Sequence, residues 1–262
     1  MHLARHGWYV YATVRKEADA ENLISEAARL GCKDQLMTVV CDITSPADVA
    51  ALSQVVDETT PRLQALLNNA GTAYAAPLEL LALDDLRAQL ELNVVAQVGV
   101  TQALLPLLKT ARGTIINVSS VSGRIATPVV GAYAASKYAL EAISDAWRAE
   151  LAPFGVRVVV IEPTSSTTSI WNTSKERSIE RLEAYREGPY KRLLNTMEKM
   201  VSRIDSTGFP PQLFADTVLH ILTRRRPRAR YVVPAKAVWT IRLRQLLPDW
   251  LWDRQVRRMM RW

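Results

Sequence analysis

The fold is decided by residues 113–137, which have the sequence GTIINVSSVSGRIATPVVGAYAASK. The apolar run from Thr114 to Val118 is bounded by Gly113 and by serines, and this pattern predicts a buried strand. A loop rich in Ser, Gly and Pro follows. A helical pattern then begins at Tyr133 and continues to Leu151. The stretch therefore predicts an α/β fold in which one strand, one loop and one helix meet.

Three side chains of this stretch can act together. Ser120 lies at the carboxyl end of the strand, and Tyr133 and Lys137 share one face of the helix. Ligands of open α/β sheets bind beyond the carboxyl ends of the strands. A cation about 4 Å from the phenol, at an effective dielectric near 20, contributes roughly 4 kcal/mol. That lowers the pKa of Tyr133 by about three units from about 10, toward the range that suits general acid–base catalysis.

The spacing of Tyr133 and Lys137 alone is weak evidence, because many helices have it by chance. Ser120, thirteen residues ahead of Tyr133 at the exit of a strand, makes the chemical interpretation the better one. A serine hydroxyl can hold a carbonyl or alcohol oxygen beside the phenol. The set predicts proton transfer to or from an alcohol as a hydride leaves or reaches its carbon.

Composition fits one α/β domain of 262 residues with 48% hydrophobic residues. We expect Cys32 and Cys41 to be buried free thiols, and the three histidines form no cluster, so no metal site is predicted. No stretch is expected to span a bilayer, and no signal peptide opens the chain. From Arg224 to Trp262 the sequence has twelve Lys/Arg against two Asp, so this segment contributes +10 and the remainder −3 to the net charge of +7.

The basic segment ends in an amphipathic tail, residues 235–262. It contains four tryptophans among aliphatic residues and arginines: Trp239, Trp250, Trp252 and Trp262. Trp and Arg on an amphipathic segment suit a membrane surface. The alternative is a C-terminal helix that packs on its own domain or on a second subunit. Binding to nucleic acid is not favoured, because no RNA- or DNA-binding motif accompanies the charge.

The stretch resembles the active-site segment of the short-chain dehydrogenase/reductase family. Residues 133–137, YAASK, match its Tyr-x-x-x-Lys motif, Ser120 matches its catalytic serine, and residues 68–71, NNAG, match its Asn-Asn-Ala-Gly turn. The resemblance covers roughly residues 3–233. It implies that Tyr133 is the general acid/base, that Lys137 lowers the pKa of Tyr133 and binds the nicotinamide ribose, and that Ser120 positions the substrate oxygen. Asn93 stands at the fourth catalytic position and would anchor a relay water. A back-bonded core asparagine is the alternative.

The resemblance also implies a nicotinamide cofactor. Arg15 follows the predicted strand of residues 8–13, and an Arg there suits a 2′-phosphate. The sequence therefore favours NADP(H) over NAD(H), and a solvated basic turn is the alternative for Arg15. Asp42 is assigned to the adenine, or else to a turn that precedes a helix. The remaining predicted cofactor contacts are Asn69, Ala70, Gly71, Tyr133, Lys137, Pro163 and Thr168. Thr164 stands where the family usually has glycine.

The N-terminal region departs from the family pattern. The family has a first strand and a glycine-rich turn before the helix end at residues 3–7, but Gly7 is the only glycine before Gly31. In the doubly wound order 3-2-1-4-5-6 that strand is central, so two apolar strand edges would lack a partner. We expect a truncated form of a longer gene, lacking about 20–25 residues. The alternative is that the strands on either side pair directly and that the cofactor site is crippled.

The sequence as a whole predicts a Rossmann-like doubly wound sheet in a single domain, with a substrate lid at residues 164–210. Leu182, Tyr185, Tyr190 and Leu193 either line the substrate pocket or pack between helices. The predicted function is NADP(H)-dependent interconversion of an alcohol and a ketone or aldehyde on a lipophilic substrate such as a steroid, retinoid or fatty aldehyde. The alternative is a non-catalytic membrane-associated or interaction protein. We expect a cytoplasmic location, and the membrane interpretation of the tail would add peripheral attachment to a membrane. The resemblance implies a homodimer.

Overall fold

The computed structural model describes residues 1–165 and 187–260. Its six strands are all parallel: β1 (Val10–Val14), β2 (Leu36–Val40), β3 (Ala65–Asn68), β4 (Thr114–Val118), β5 (Arg157–Pro163) and β6 (Arg230–Val233). The helices are α1 (His2–Arg5), α2 (Glu17–Arg29), α3 (Pro46–Thr59), α4 (Leu83–Leu90), α5 (Ala96–Ala111), α6 (Gly131–Leu151), α7 (Lys191–Thr207), α8 (Pro211–Thr223), α9 (Val238–Leu246) and α10 (Asp249–Met260).

The strands form two separate sheets within the described part of the chain. One sheet pairs β1 with β2, and the other has the order β3-β4-β5-β6. Among the described residues no ladder of hydrogen bonds joins β1 to β3, so the alternative in which these two strands pair directly is wrong. The facing edges are therefore open, as the sequence predicted. The exposed fraction is 36% for Leu67 of β3, although strand residues of this kind are usually buried.

Local sequence explains most of the element boundaries. Ser45 accepts a hydrogen bond from the backbone N–H of Asp48 and precedes Pro46 at the first position of α3, which is the predicted helix start. Gly31 ends the turn after α2 with a φ of +68°, a conformation that glycine adopts readily. The predicted strands of residues 36–40 and 114–118 have the same bounds in the structure.

The helix that precedes β4 runs from residue 83 to residue 111 and includes a π-helical segment, Glu91–Val95, between α4 and α5. Contrary to expectation, this helix is long and apolar enough to cross a membrane. In the structure its face with Val100, Leu104 and Leu108 packs against α3 and Ile115 of β4. That packing is the one expected of a core helix in an α/β domain.

Alternating residues of the central strands build two cores. Ile115 packs in the cluster with α3 and α5, whereas Ile116 packs with Val218 and Ile221 of α8 on the other side of the sheet. Successive side chains of a strand point to opposite faces, so helices cover both faces of β4. This is the predicted Rossmann-like α/β architecture in one domain. The two cysteines are buried free thiols, as expected.

Candidate active site

Ser120 is fixed where β4 ends. The strand stops at Val118, and Ser120 continues it in extended conformation before a 3₁₀ turn, Val121–Gly123. Its Oγ donates a hydrogen bond to the carbonyl oxygen of Pro163 at 3.3 Å and accepts one from the backbone N–H of Ser122 at 3.1 Å. Pro163 at the end of β5 and the 3₁₀ turn after Ser120 thus hold the hydroxyl at the carboxyl edge of the sheet.

Helix α6 brings Tyr133 and Lys137 to the same edge. Both side chains are buried, and Tyr133 hydrogen bonds with the side chain of Ser120. The Nζ of Lys137 lies 5.8 Å from the centre of the Tyr133 ring and donates a hydrogen bond to the carbonyl oxygen of Val118 at 2.8 Å. The structure therefore brings together the serine, the phenol and the ammonium group that the sequence singled out.

The predicted direction of the Tyr133 pKa is wrong for the chain without cofactor. Burial raises the pKa of the phenol, and the hydrogen bond with Ser120 opposes this only in part. Burial also lowers the pKa of Lys137 to about 8, and the charge of Glu141 offsets this effect in part. The simple estimate failed because it treated Lys137 as a fully charged group and left out the desolvation of both side chains.

Asn93 lies in the π-helical segment and is completely buried. Its Oδ1 accepts the backbone N–H of Thr72 at 2.8 Å, and its Nδ2 donates to the carbonyl oxygen of Thr72 at 2.9 Å and to Oγ of Ser136 at 3.0 Å. Both amide N–H groups are used in this way. The side chain ties the loop after β3 to α6, and a relay water would have to use its remaining oxygen lone pair.

Sequence reasoning missed two other residues of this helix. Gln89 bonds the carbonyl oxygen of Thr72 and the N–H of Tyr74, and Gln97 donates to the carbonyl oxygen of Ala70 at 2.6 Å. Gln89, Asn93 and Gln97 are spaced by four residues in a largely apolar helix. That polar stripe was the available signal, because residues four apart share a helix face.

Gly71 explains why small residues follow β3. A Cβ at this position would lie 3.2 Å from Oδ1 of Asn93 and 3.8 Å from Nζ of Lys137. Asn69, Ala70 and Gly71 all line one cavity of about 1000 Å³. The backbone after β3 can therefore approach a ligand beside Lys137 closely.

The cavity follows the carboxyl ends of the strands from one sheet to the other. Arg15 and Asp42 line one end of it, and Ser120, Tyr133 and Pro163 line the other. Phe209, Pro211 and Phe214, which sequence reasoning did not single out, add an apolar wall. A cleft of about 1000 Å³ that is lined by the charged Arg15 and Asp42 as well as by Tyr133 and Lys137 has room for a dinucleotide.

Asp42, a predicted cofactor contact, forms hydrogen bonds within its own turn. Oδ1 of Asp42 accepts the backbone N–H and the hydroxyl of Thr44 at 2.9 and 2.7 Å, and these bonds hold the pKa of the carboxyl below its ordinary value. This is the turn role that the sequence left as the alternative. The N–H of Thr164 donates to Val233 at 2.8 Å. Thr168 lies outside the described residues.

Two of the four residues that the sequence assigned to the lid lie in the described part of the chain. Leu193 is buried against Ala75 and Val129, and the hydroxyl of Tyr190 donates to Glu79. Neither side chain lines the cavity, so both fit the packing alternative in the described part of the chain. Leu182 and Tyr185 lie outside the described residues.

The residues present fit the two ends of a nicotinamide dinucleotide. The cation of Arg15 lines the cleft, and so do Gly71, Tyr133 and Lys137. Between Met1 and Gly31 the sequence has a single glycine, and α1 contributes no residue to the cavity in the described part of the chain. Among the described residues, therefore, no glycine-rich turn near the N-terminus lines the cleft.

Comparison with known proteins agrees with this geometry. A family model described as short chain dehydrogenase matches residues 1–178. An NADPH-dependent 3-dehydrocapnine reductase from Ornithobacterium rhinotracheale is 34% identical, with 95% of this chain and 87% of that protein covered. Human retinol dehydrogenase 16 is 37% identical, with 96% of this chain and 80% of that protein covered.

A solved structure has the same fold. A short-chain dehydrogenase/reductase from Burkholderia phymatum in complex with NAD aligns with a TM-score of 0.75 at 22% identity, covering 90% of this chain and 83% of that one. These comparisons favour an oxidoreductase acting on CH–OH donors with a nicotinamide cofactor over the non-catalytic alternative. The chain belongs to the short-chain dehydrogenase/reductase family.

Proposed function

We propose that the protein interconverts an alcohol and a ketone or aldehyde with NADP(H), using Tyr133 as the general acid/base. The observation that supports this most directly is the buried contact of Tyr133 with Ser120, with Lys137 one helical turn behind. In this proposal Ser120 donates a hydrogen bond to the substrate oxygen, Lys137 also binds the nicotinamide ribose, and Asn93 holds the loop after β3 and anchors the relay water.

The protonation of Tyr133 suits the reductive direction. Because burial raises the pKa of its phenol, the group is neutral near pH 7 and can donate its proton. When bound, the cofactor supplies a hydride to the carbonyl carbon. The electron pair of the hydride forms the new C–H bond, the π pair of the C=O bond moves to the oxygen and takes the proton of Tyr133 to form the O–H bond, and solvent reprotonates the phenolate. Oxidation follows the same steps in reverse.

Substitution of Tyr133 by phenylalanine tests the mechanism. Phe keeps the buried ring but has no proton to transfer, so kcat should fall about a thousandfold while the affinity for NADPH stays the same. Steady-state kinetics on a panel of steroids, retinoids and fatty aldehydes, and calorimetric titration with NADPH, measure the two quantities. A Tyr133→Phe enzyme with wild-type turnover would contradict the proposal. Tyr138→Phe, on the same helix but 44% exposed, is the matched control.

A lipophilic substrate is the part of the proposal that rests on the apolar wall of the cleft. Phe209 and Phe214 face the same cavity as Tyr133, and aromatic side chains bind large apolar ligands well. The relatives named as retinol dehydrogenase and 3-dehydrocapnine reductase are consistent with such a substrate. Phe214→Ser should raise KM for long apolar substrates more than for short ones.

We further propose that the tail, residues 235–262, holds the enzyme peripherally on a membrane surface that faces the cytoplasm. Trp239 and Trp250 are 67% and 66% exposed and Leu246 is 81% exposed, and Arg242 stacks on Trp239 at 4.9 Å. Exposed aromatic residues beside arginines suit the headgroup region of anionic lipids. Val256 and Met260 of the tail pack on the protein's own domain beside Ala75 and Val129, so the packing alternative holds for that face of the tail. For the exposed face the alternative is a homodimer, which the family often forms.

Vesicle sedimentation distinguishes these alternatives. The wild-type protein should bind phosphatidylcholine vesicles more strongly when they contain phosphatidylserine, and Trp239→Ser/Leu246→Ser should lose most of this binding. Leu213→Ser, an exposed apolar residue of α8, is the control. If the double variant instead changes the mass measured by light scattering from dimer to monomer, the face is an interface between two copies.

A further inference from the structure

A mixed-charge cluster lies behind the catalytic helix, and its role is not part of the mechanism above. Its members are Arg124, Glu141, Asp145, Glu162 and Arg230. Only 2% of the Glu162 side chain and 8% of the Glu141 side chain are exposed. Burying ion pairs of this kind is costly, and well-packed apolar residues often stabilise a fold as well or better. The cluster therefore calls for a functional explanation.

Arg230 of β6 is the centre of the cluster. Its Nε donates to Oε2 of Glu141 at 3.0 Å and lies 3.5 Å from Oε1 of Glu162. Its Nη2 donates to Oδ1 of Asp145 at 2.6 Å. Nη1 of Arg124 donates to the same Oε1 of Glu162 at 2.9 Å. Glu162 is thus paired with two arginines, of which it shares Arg230 with Glu141 and Asp145. Oε1 of Glu141, in contrast, accepts no hydrogen bond within the described residues.

Glu141 is the member of the cluster closest in the chain to Lys137. It follows Lys137 by one helical turn, so the two side chains lie on one face of α6. The turn after Ser120 packs on the same place, because a Cβ on Gly123 would lie 3.1 Å from both Cγ of Glu141 and the carbonyl oxygen of Lys137. Water has little access to the space between these groups, and charges interact strongly there.

We propose that Glu141 is a positioning residue for the catalytic lysine: held by Arg230, its carboxylate stabilises the ammonium form of Lys137 from one helical turn away. This inference rests on the proposed function, because it gives a reason for the charge on Lys137 to matter. The cluster as a whole fixes α6 against β5 and β6, and Glu141 is the member that acts on the site.

The charges around these groups support the assignment. Glu141 faces Lys137 and Asp145 on its own helix, Arg230 on β6 and Glu162 on β5, and Arg124 reaches it only through Glu162. Burial brings the pKa of Lys137 down to about 8, and Glu141 is the charged group that works against this. With a pKa so close to neutral pH, loss of the Glu141 charge would leave much of Lys137 uncharged.

Glu141→Gln tests the inference, with Asp145→Asn as the matched control. Both changes remove one negative charge that binds Arg230, but Asp145 lies a further turn from Lys137, and 47% of its side chain is exposed against 8% for Glu141. The readout is the pKa of Lys137 in cofactor-free protein, from the ¹³Cε resonance that Lys137→Met identifies. Glu141→Gln should lower it by roughly one unit, Asp145→Asn should leave it unchanged, and Glu141→Asp should restore most of the shift.

The pH profile of kcat/KM provides an activity readout. Activity should fall as Lys137 loses its proton, so the alkaline limb should move to lower pH by the same amount in Glu141→Gln. If Glu141→Gln fails to fold, Glu141→Met removes the same charge with an apolar side chain of similar length. Equal pKa values of Lys137 in the wild type and in the charge-removing variant would overturn the inference, as would an equal shift in Asp145→Asn.

The two proposals fail separately. If Tyr133→Phe keeps its turnover, the proposed mechanism is wrong whatever the resonance of Lys137 shows. If Tyr133→Phe is inactive while Glu141→Gln leaves the pKa of Lys137 unchanged, only the role of Glu141 is wrong.

Discussion

The two ends of the cofactor cleft are built differently. At the catalytic end, β4 is buried along its whole length, and the polar groups around it, such as Asn93 and Ser136, are held by buried hydrogen bonds. At the opposite end, β1 and β2 form a two-stranded sheet whose residues are half-buried or exposed, and Val40 is 42% exposed. Proton transfer depends on the position of a few atoms, whereas a ribose phosphate can be bound by a solvated charge. The rigid structure is found where the chemistry requires it.

Removing one loop-fixing side chain from each end gives the largest predicted difference. Asn93→Ala removes three buried hydrogen bonds and should lower the free energy of unfolding by about 4 kcal/mol. Asp42→Ala removes the exposed bonds to Thr44 and should cost about 1 kcal/mol. Urea unfolding measures both. Equal costs at the two ends would contradict the comparison.

Glycines test how tightly the catalytic sheet is packed. A Cβ on Gly113 would lie 2.7 Å from the carbonyl oxygen of Leu63 and 2.9 Å from that of Gln64, so Gly113→Ala must push β3 and β4 apart. We expect a loss of about 3 kcal/mol. Gly99→Ala in α5 is the control: it meets no atom within 4 Å and should stabilise the helix by about 1 kcal/mol. If Gly113→Ala left the free energy of unfolding unchanged, β3 and β4 could move apart at little cost, and the sheet would not be tightly packed there.

The buried lysine should lower the stability of the catalytic end. The pKa of Lys137 falls from 10.5 to about 8 on folding, which at 1.36 kcal/mol per unit costs roughly 3 kcal/mol below pH 8. Lys137→Met removes this cost but also loses the hydrogen bond to Val118, so the variant should be more stable than the wild type by about 2 kcal/mol at pH 7.

The pH dependence gives this prediction its sign. Between pH 8 and 10.5 the unfolded wild type binds more protons at Lys137 than the folded protein does, so wild-type stability rises with pH. The advantage of Lys137→Met should therefore be greatest below pH 8 and shrink above it. Urea unfolding at several pH values measures the difference, and a constant difference would show that burial does not penalise the charge.

Much of the catalytic end could be predicted from the sequence because its signals are local. A short apolar run ends at Ser120, and a spacing of four joins Tyr133 to Lys137. The direction in which the Tyr133 pKa shifts could not be predicted from the sequence, because it depends on desolvation by residues that are distant in sequence. The left-handed backbone of Val129, with a φ of +74°, is equally invisible in the sequence, because a β-branched residue disfavours it.

The open end was harder to interpret. The sequence predicted open edges at β1 and β3, and within the described residues the structure has these edges unpaired. It could not show whether Asp42 closes a turn or binds a ligand, since both roles use the same carboxylate at the same position. In the structure the turn bonds are present, and one carboxylate oxygen of Asp42 serves them.

The smallest expected effect concerns Arg15 at the open end. Arg15 lines the cleft, whereas its neighbour Lys16 does not. If Arg15 binds the 2′-phosphate through solvent-exposed contacts, Arg15→Ala should weaken NADPH about tenfold, or roughly 1.4 kcal/mol, and leave NADH within about twofold. Calorimetric titration with both cofactors measures the ratio, and Lys16→Ala is the matched control. An equal loss for NADPH and NADH, or an equal effect of Lys16→Ala, would mean that Arg15 acts only through the general charge of the turn.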